Sequence, residues 1–181
     1  VNGQVSSIVR EGPEQYEANK NSNEDDQNGY LKTCYNLSKL YNSLVHNDMD
    51  NVDKFNKMGI TANTVNMLAH FNDKVQPKTE EEKEAERRAL ENAKDKEPVE
   101  ENVDDLKPEE MVRGIMKNCS QALEQITVPP SSNEYLANKT NFGDTMNKTL
   151  ENENNEPEYL VSCLHSLGNY LYQDSGKNYS K

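Results

Sequence analysis

The stretch from Glu158 to Ser175, EYLVSCLHSLGNYLYQDS, constrains the fold of this chain most. Leu160, Leu164, Leu167 and Leu171 recur at steps of four, three and four, which puts them on one face of an α-helix. Cys163 and Tyr170 widen the apolar surface beyond what a helix lying on a single layer needs. A helix apolar on nearly every side is buried between others, so the spacing predicts a helix sandwiched in a stack.

Helical periodicity recurs through the rest of the chain. Val5, Ile8 and Val9 are spaced like the end of a helix stopped by Gly12-Pro13, so residues 1–9 read as the tail of a preceding unit. Residues 10–29 are polar and acidic and read as a flexible loop. Tyr30, Leu31, Cys34, Leu37, Leu40, Tyr41, Leu44 and Val45 predict a helix over 30–46. A short helix over about 51–58 follows, capped by Asp50 or Asn51 and closed by Gly59 at a C′ position. Thr61 is expected to cap the next helix, over about 62–71, with Val65, Leu68 and Phe71 inward.

Residues 72–108 change character and read as a charged insertion. Residues 79–97, TEEEKEAERRALENAKDKE, are strong helix formers with a Glu84–Arg88 pair at i,i+4 and a Glu91–Lys94 pair at i,i+3, but no apolar stripe. A solvated helix is the expectation there. Pro108, Glu109 and Glu110 mark a helix start, proline in the first turn and acids at the positive end of the dipole. That helix should run to about Ile126, with Val112, Ile115, Met116, Cys119, Ala122, Leu123 and Ile126 inward, and end before Pro129-Pro130. Short helices around Tyr135-Leu136 and over Gly143 to Leu150 lead, through Pro157, into the helix that opens this section.

Composition narrows the class. The 181 residues are 33% hydrophobic and 29% charged, with a mean hydropathy of -1.06 and a net charge of -12. One domain with solvated excursions is expected, since a globular chain is usually about 45–50% apolar. The acidic balance argues against a nucleic-acid backbone or an anionic membrane surface as partner. No apolar run approaches the roughly 20 residues of a spanning helix, and no signal peptide is visible. Cys34, Cys119 and Cys163 form no CxxC pair and read as reduced core cysteines of a cytosolic protein.

Comparing segments shows a repeat. LSKLYNSL, residues 37–44, and LHSLGNYL, residues 164–171, share L-x-x-L-x-N-x-L, and SQALEQIT, residues 120–127, fits in degraded form. About 44 residues separate Gln125 from Asn169, and removing roughly 40 residues of insertion leaves a similar step back to Asn42. Helical repeats of about 40–47 residues are the range of armadillo and HEAT units. With a short, a middle and a long helix per period, carried by NVDKFNKMG-ITANTVNMLAHF and CLHSLGNYL, the chain resembles an armadillo repeat. The resemblance covers most of the chain outside 10–29 and 72–108, giving 30–71 and 109–181 as repeat helices. It implies an all-α, armadillo-like right-handed helical solenoid with polar acidic insertions. Another helical solenoid or bundle is the alternative. Neither end shows a polar cap, so an internal piece of a longer array is expected.

No phosphate loop, HExxH or GxSxG motif occurs, and His46, His70 and His165 lie far apart in sequence. The acids Asp48, Asp50 and Asp53 lack the glycine and terminal glutamate of an EF-hand and read as turn and cap residues. No catalytic residue, cofactor or metal is expected, and a non-enzymatic role follows. The resemblance implies that the third helices line a groove in which Asn42, Gln125 and Asn169 bond the backbone of an extended peptide, each amide offering a donor and an acceptor. The competing reading has these residues capping helix carbonyls or facing solvent. The expected function is a protein-interaction scaffold in a larger cytoplasmic or cytoskeletal assembly, axonemal or ciliary ones included, with basic segments favoured as partners. A cargo or peptide adaptor, weakened by the lack of Trp, and a regulatory part of a larger enzyme are the alternatives.

Overall fold

A computed structural model describes residues 24–47, 52–92 and 102–174. The expected helix tail at 1–9, most of the 10–29 loop, the Asp50 and Asn51 caps and the Glu91–Lys94 pair lie outside the described residues. Within them the chain is all-α. Its elements are α1 (Glu24–Asn47), α2 (Val52–Lys57), α3 (Ile60–Asn72), α4 (Glu80–Asn92), a 3-10 turn (Val103–Asp105), α5 (Pro108–Ile126), α6 (Ser131–Lys139), α7 (Phe142–Glu151) and α8 (Pro157–Asp174). Residues 24–29, read from sequence as loop, form the first turns of α1.

Local chemistry sets most of these limits. Pro108 opens α5, where a missing N–H costs nothing, and the Lys107 N–H donates to Glu110 Oε2 at 2.8 Å. At the other end the Thr127 hydroxyl donates to the Leu123 carbonyl at 2.9 Å, and Pro129 follows. Gly59 takes φ 77, a left-handed conformation open to glycine, and so turns the chain from α2 into α3. Gly59, not Thr61, is the residue that caps α3. Thr61 lies inside the helix, and its buried hydroxyl donates to Asn56 Oδ1 at 2.6 Å across the α2–α3 corner.

α5 is the centre of the molecule. It packs against α1 on one flank, α8 on the other and α3 behind. Met111, Ile115, Met116, Cys119, Ala122, Leu123 and Ile126 are all buried completely or nearly so. Each large apolar side chain buried this way contributes about 1.5–3 kcal/mol. The cross-links between helices show that α1, α5 and α8 run parallel. Ser38 pairs with Asn118 and Asn42 with Gln121. Lys117 pairs with Glu158, and Glu124 with His165. Numbers rise together along each pair of helices. Behind this layer α3 packs on α7, and at one end α2 packs on α6. The ends of α3 and α7 are tied by buried asparagines. Asn155 Nδ2 donates to Asn72 Oδ1 at 2.8 Å and to the Thr149 carbonyl at 2.7 Å, and Asn152 Nδ2 donates to the Asn72 carbonyl at 2.6 Å.

The leucine face of α8 is not sandwiched. Tyr159, Ser162, Cys163 and Ser166 are its buried residues, while Leu164 is 55% and Leu171 43% exposed. α5 covers one flank of α8 and Leu167 packs on the core, while no described element covers Leu164 and Leu171. The same holds for α1 at the opposite edge of the layer. Tyr35, Ser38, Tyr41 and Val45 are buried, and Leu40 is 50% exposed.

Residues 72–108 divide. Val75 is buried in the core and Asn72 belongs to the buried asparagine cluster, so the excursion begins only beyond them. α4 is a charged helix capped by Thr79 and Glu82, whose hydroxyl and carboxylate each accept the other's backbone N–H, at 3.2 and 2.8 Å. The expected Glu84–Arg88 pair forms at 3.1 Å.

Candidate interaction surface

Two clefts cross the parallel layer. The first, of about 400 Å³, is polar and lies over α5 between α1 and α8, with Lys39, Asn42, His46, Asn118, Gln121 and Glu124 among its lining. Asn42 Nδ2 donates to Gln121 Oε1 at 3.1 Å, and Asn118 Nδ2 to Ser38 Oγ at 3.1 Å. Asn42 Oδ1 is buried and has no hydrogen-bond partner among the described residues. A buried amide oxygen left unpaired costs about 1–3 kcal/mol.

The three residues expected to form an amide ladder are placed differently from one another. Asn42 lines this cleft. Asn169 Nδ2 approaches the Glu124 carbonyl and Thr127 Oγ1, both at 3.4 Å, at the end of α5. Gln125 is half-buried and lines neither of the two clefts. Asn42 reaches α5 from one flank and Asn169 from the other, so the two do not repeat the same position of successive helices. The residue opposite Asn42 is Gln121, one turn before Gln125. Residues facing each other across α1 and α5 are 79 and 80 apart, whereas the sequence alignment paired residues about 83 apart. One helical turn separates the two registers, since a turn is 3.6 residues. Gln121 and Asn118 were therefore missed. Helical spacing from Asn118 would have put both on one face, but nothing in the sequence says that this face meets α1.

The second cleft, of about 710 Å³, lies further toward the start of α5, beneath α4. Arg113 is buried at its base. Arg113 Nη2 donates to Glu82 Oε1 of α4 at 2.8 Å, and Arg113 Nε lies 3.7 Å from Glu156 Oε1. Lys78 holds the other oxygen of Glu156 at 2.9 Å. The Thr79 N–H, and then Arg113, hold the Glu82 carboxyl down at about 2. Burial, and then the neighbouring Glu156, push the Tyr159 hydroxyl up to about 12.

The three cysteines are buried and free. Burial pushes all three thiols up, Cys163 to about 12, so none is a thiolate near neutral pH. His165 pairs with Glu124 and His46 with the Asn42 carbonyl, each on its own helix surface. Among the described residues no group of three or more His, Cys, Asp or Glu is placed to hold a metal ion. No described helix is long and apolar enough to cross a membrane.

Comparison with protein-family models, with curated proteins and with solved structures gives no match for this chain.

Proposed function

We propose that this chain is a segment of an armadillo-like helical solenoid and acts as a non-enzymatic protein-interaction scaffold. In this reading α2, α3 and α5 are the three helices of one unit, α6, α7 and α8 those of the next, and α1 the last helix of the unit before. The observation that carries the reading is that like packs on like: α2 on α6, α3 on α7, and α1, α5 and α8 in parallel. A bundle of antiparallel hairpins would not put three successive long helices in the same direction. The leucine flanks of α1 and α8 support it too, because each lies where a further parallel helix would continue the layer.

The amide cleft between α1 and α5 is the binding surface in this proposal. Asn42, Asn118 and Gln121 carry side-chain amides, each with the donor and the acceptor that an extended peptide backbone requires. The overall charge of -12 favours a basic segment. Gln125 and Asn169 then serve the helices themselves. A cytoplasmic or cytoskeletal assembly is the setting proposed.

The test is fluorescence anisotropy of the full chain against a panel of extended peptides, basic, neutral and acidic. Basic members should bind in the micromolar range, and Gln121→Ala should weaken them about tenfold, the worth of roughly 1.4 kcal/mol. Gln125→Ala should leave them unchanged. Absence of binding by every basic peptide, or equal effects of the two substitutions, refutes the groove.

A further inference from the structure

We propose that the Arg113 cleft is a docking socket for an acidic segment of a protein partner, and that α4 occupies it in cis by inserting Glu82. The Arg113 cleft adjoins the amide cleft, with Lys39 and Asn118 common to both, and the inference holds whether or not the chain is a repeat array.

The cations of the cleft outnumber the carboxylates that the surrounding frame supplies. Lys39, Lys78, Arg113 and Lys117 line it. On the frame side, Glu158 is taken by Lys117 at 2.9 Å, and Glu110 accepts the Lys107 N–H at 2.8 Å. Glu156 is taken by Lys78 and reaches Arg113 only at 3.7 Å. Lys39 lies over the Tyr35 ring, 5.8 Å from its centroid. Arg113 is thus a buried guanidinium whose one hydrogen-bonded carboxylate, among the described residues, comes from α4. A buried Arg selects a carboxylate through its planar fork of donors, and without Glu82 only the longer 3.7 Å pair with Glu156 remains to it, so an incoming carboxylate is favoured there.

α4 is suited to leave. Its own geometry sustains it: the Thr79–Glu82 cap and the local pairs Lys83–Glu80, Arg87–Glu84 and Arg88–Glu84 need no other element. Among the described residues it packs broadly on none of the other helices. Glu82 and Ala85 are its residues in the cleft. An incoming segment with a capped, glutamate-bearing helical turn would replace Glu82 like for like, and the released α4 would return its carboxylate to water. Because one carboxylate replaces another at Arg113, the exchange is governed by whatever further contacts the incoming segment makes in the roughly 710 Å³ of the cleft.

The probe is a fluorescent peptide with the sequence of residues 78–92, titrated against the full chain by anisotropy. Glu82→Gln in the chain keeps the helix cap, which glutamine also supplies, and removes the ion pair. The Glu82→Gln chain should bind the peptide at least tenfold more tightly than the unaltered chain, where α4 competes. Glu81→Gln, the same loss of charge at an exposed neighbour, should behave as the unaltered chain. A peptide carrying its own Glu82→Gln should bind the Glu82→Gln chain at least tenfold more weakly, a comparison that involves no change in the folding of the chain. The proposal is overturned if the Glu82→Gln chain gains no affinity, if the Glu81→Gln chain gains as much, or if the peptide binds equally well with its own Glu82→Gln change.

Discussion

Gly114 sits in the middle of α5, where a glycine normally weakens a helix. Replacing it with alanine should gain about 1 kcal/mol of helix propensity. Here that gain is opposed by the closeness of α1. A Cβ at Gly114 would stand 2.4 Å from Tyr35 Cε2 and 3.1 Å from Cδ2. The ring is 6% exposed and wedged between helices, so it cannot swing out freely. Either the ring leaves its rotamer or α1 and α5 move apart, and overpacking of this kind costs about 1–3 kcal/mol. Gly114→Ala should therefore destabilise the chain by about 1 kcal/mol net, lowering the Tm by about 2–4 °C. Tyr35→Leu removes the atoms of closest contact. In that background the same Gly114→Ala change should turn stabilising, by about 0.5–1 kcal/mol. Urea unfolding followed by circular dichroism on the four chains measures the cycle, whose coupling should be about 1–3 kcal/mol. A Gly114→Ala effect of the same sign and size in both backgrounds refutes the reasoning.

Further outcomes follow from burial and pairing. Leu164→Gln should change stability by no more than about 0.5 kcal/mol, whereas Leu123→Ala should cost about 2–5 kcal/mol, because Leu164 is 55% exposed and Leu123 fully buried; chemical denaturation of the two variants compares them directly. Asn72→Ala removes the Oδ1 that accepts from Asn155 Nδ2 and the Nδ2 that donates to the Lys148 carbonyl, leaving Asn155 Nδ2 with the Thr149 carbonyl alone, and should cost about 1–2 kcal/mol in the same assay. Cys163 and Tyr159 stay neutral in the folded chain up to about pH 12, while in the unfolded chain they ionise near their ordinary values of 9.0 and 10.0. The unfolded state then binds fewer protons, so stability is full below pH 9 and falls as pH rises from 9 through 12. The Tm of Cys163→Ala should decline less steeply over that range than that of the unaltered chain, and equal slopes would contradict the assignment.

Much of the fold was legible because local chemistry is printed in local sequence. Pro108 with Glu109 and Glu110 marked the start of α5, and its inward residues followed from a period of 3.6. Gly59 marked the turn between α2 and α3. The Thr79–Glu82 capping box of α4 was also available in the sequence as T-x-x-E. Elsewhere the cues misled. Thr61 looked like a cap because threonine favours that site, but the left-handed Gly59 had already made the turn. Val75 was grouped with a charged excursion because its sequence neighbours are polar, although long-range packing buries it.

The interaction surface was less legible. Asn42, Gln125 and Asn169 align by pattern, yet a pattern fixes which residues share a face of one helix, not which flank meets a neighbour. Parallel neighbours are also staggered, so residues matched by sequence need not stand opposite each other in space. Gln121 faces Asn42 because α1 and α5 meet with a 79-residue offset, a distance set by how their side chains interlock. The sequence alone determined the helical character of the described residues, most of the helix limits and the apolar stripes, since these depend on periodicity and caps within a few residues. Only the tertiary structure decided which stripe is covered, which amides meet and which carboxylate reaches Arg113. Those outcomes depend on contacts between residues far apart along the chain, and side-chain spacing within one helix carries no record of them.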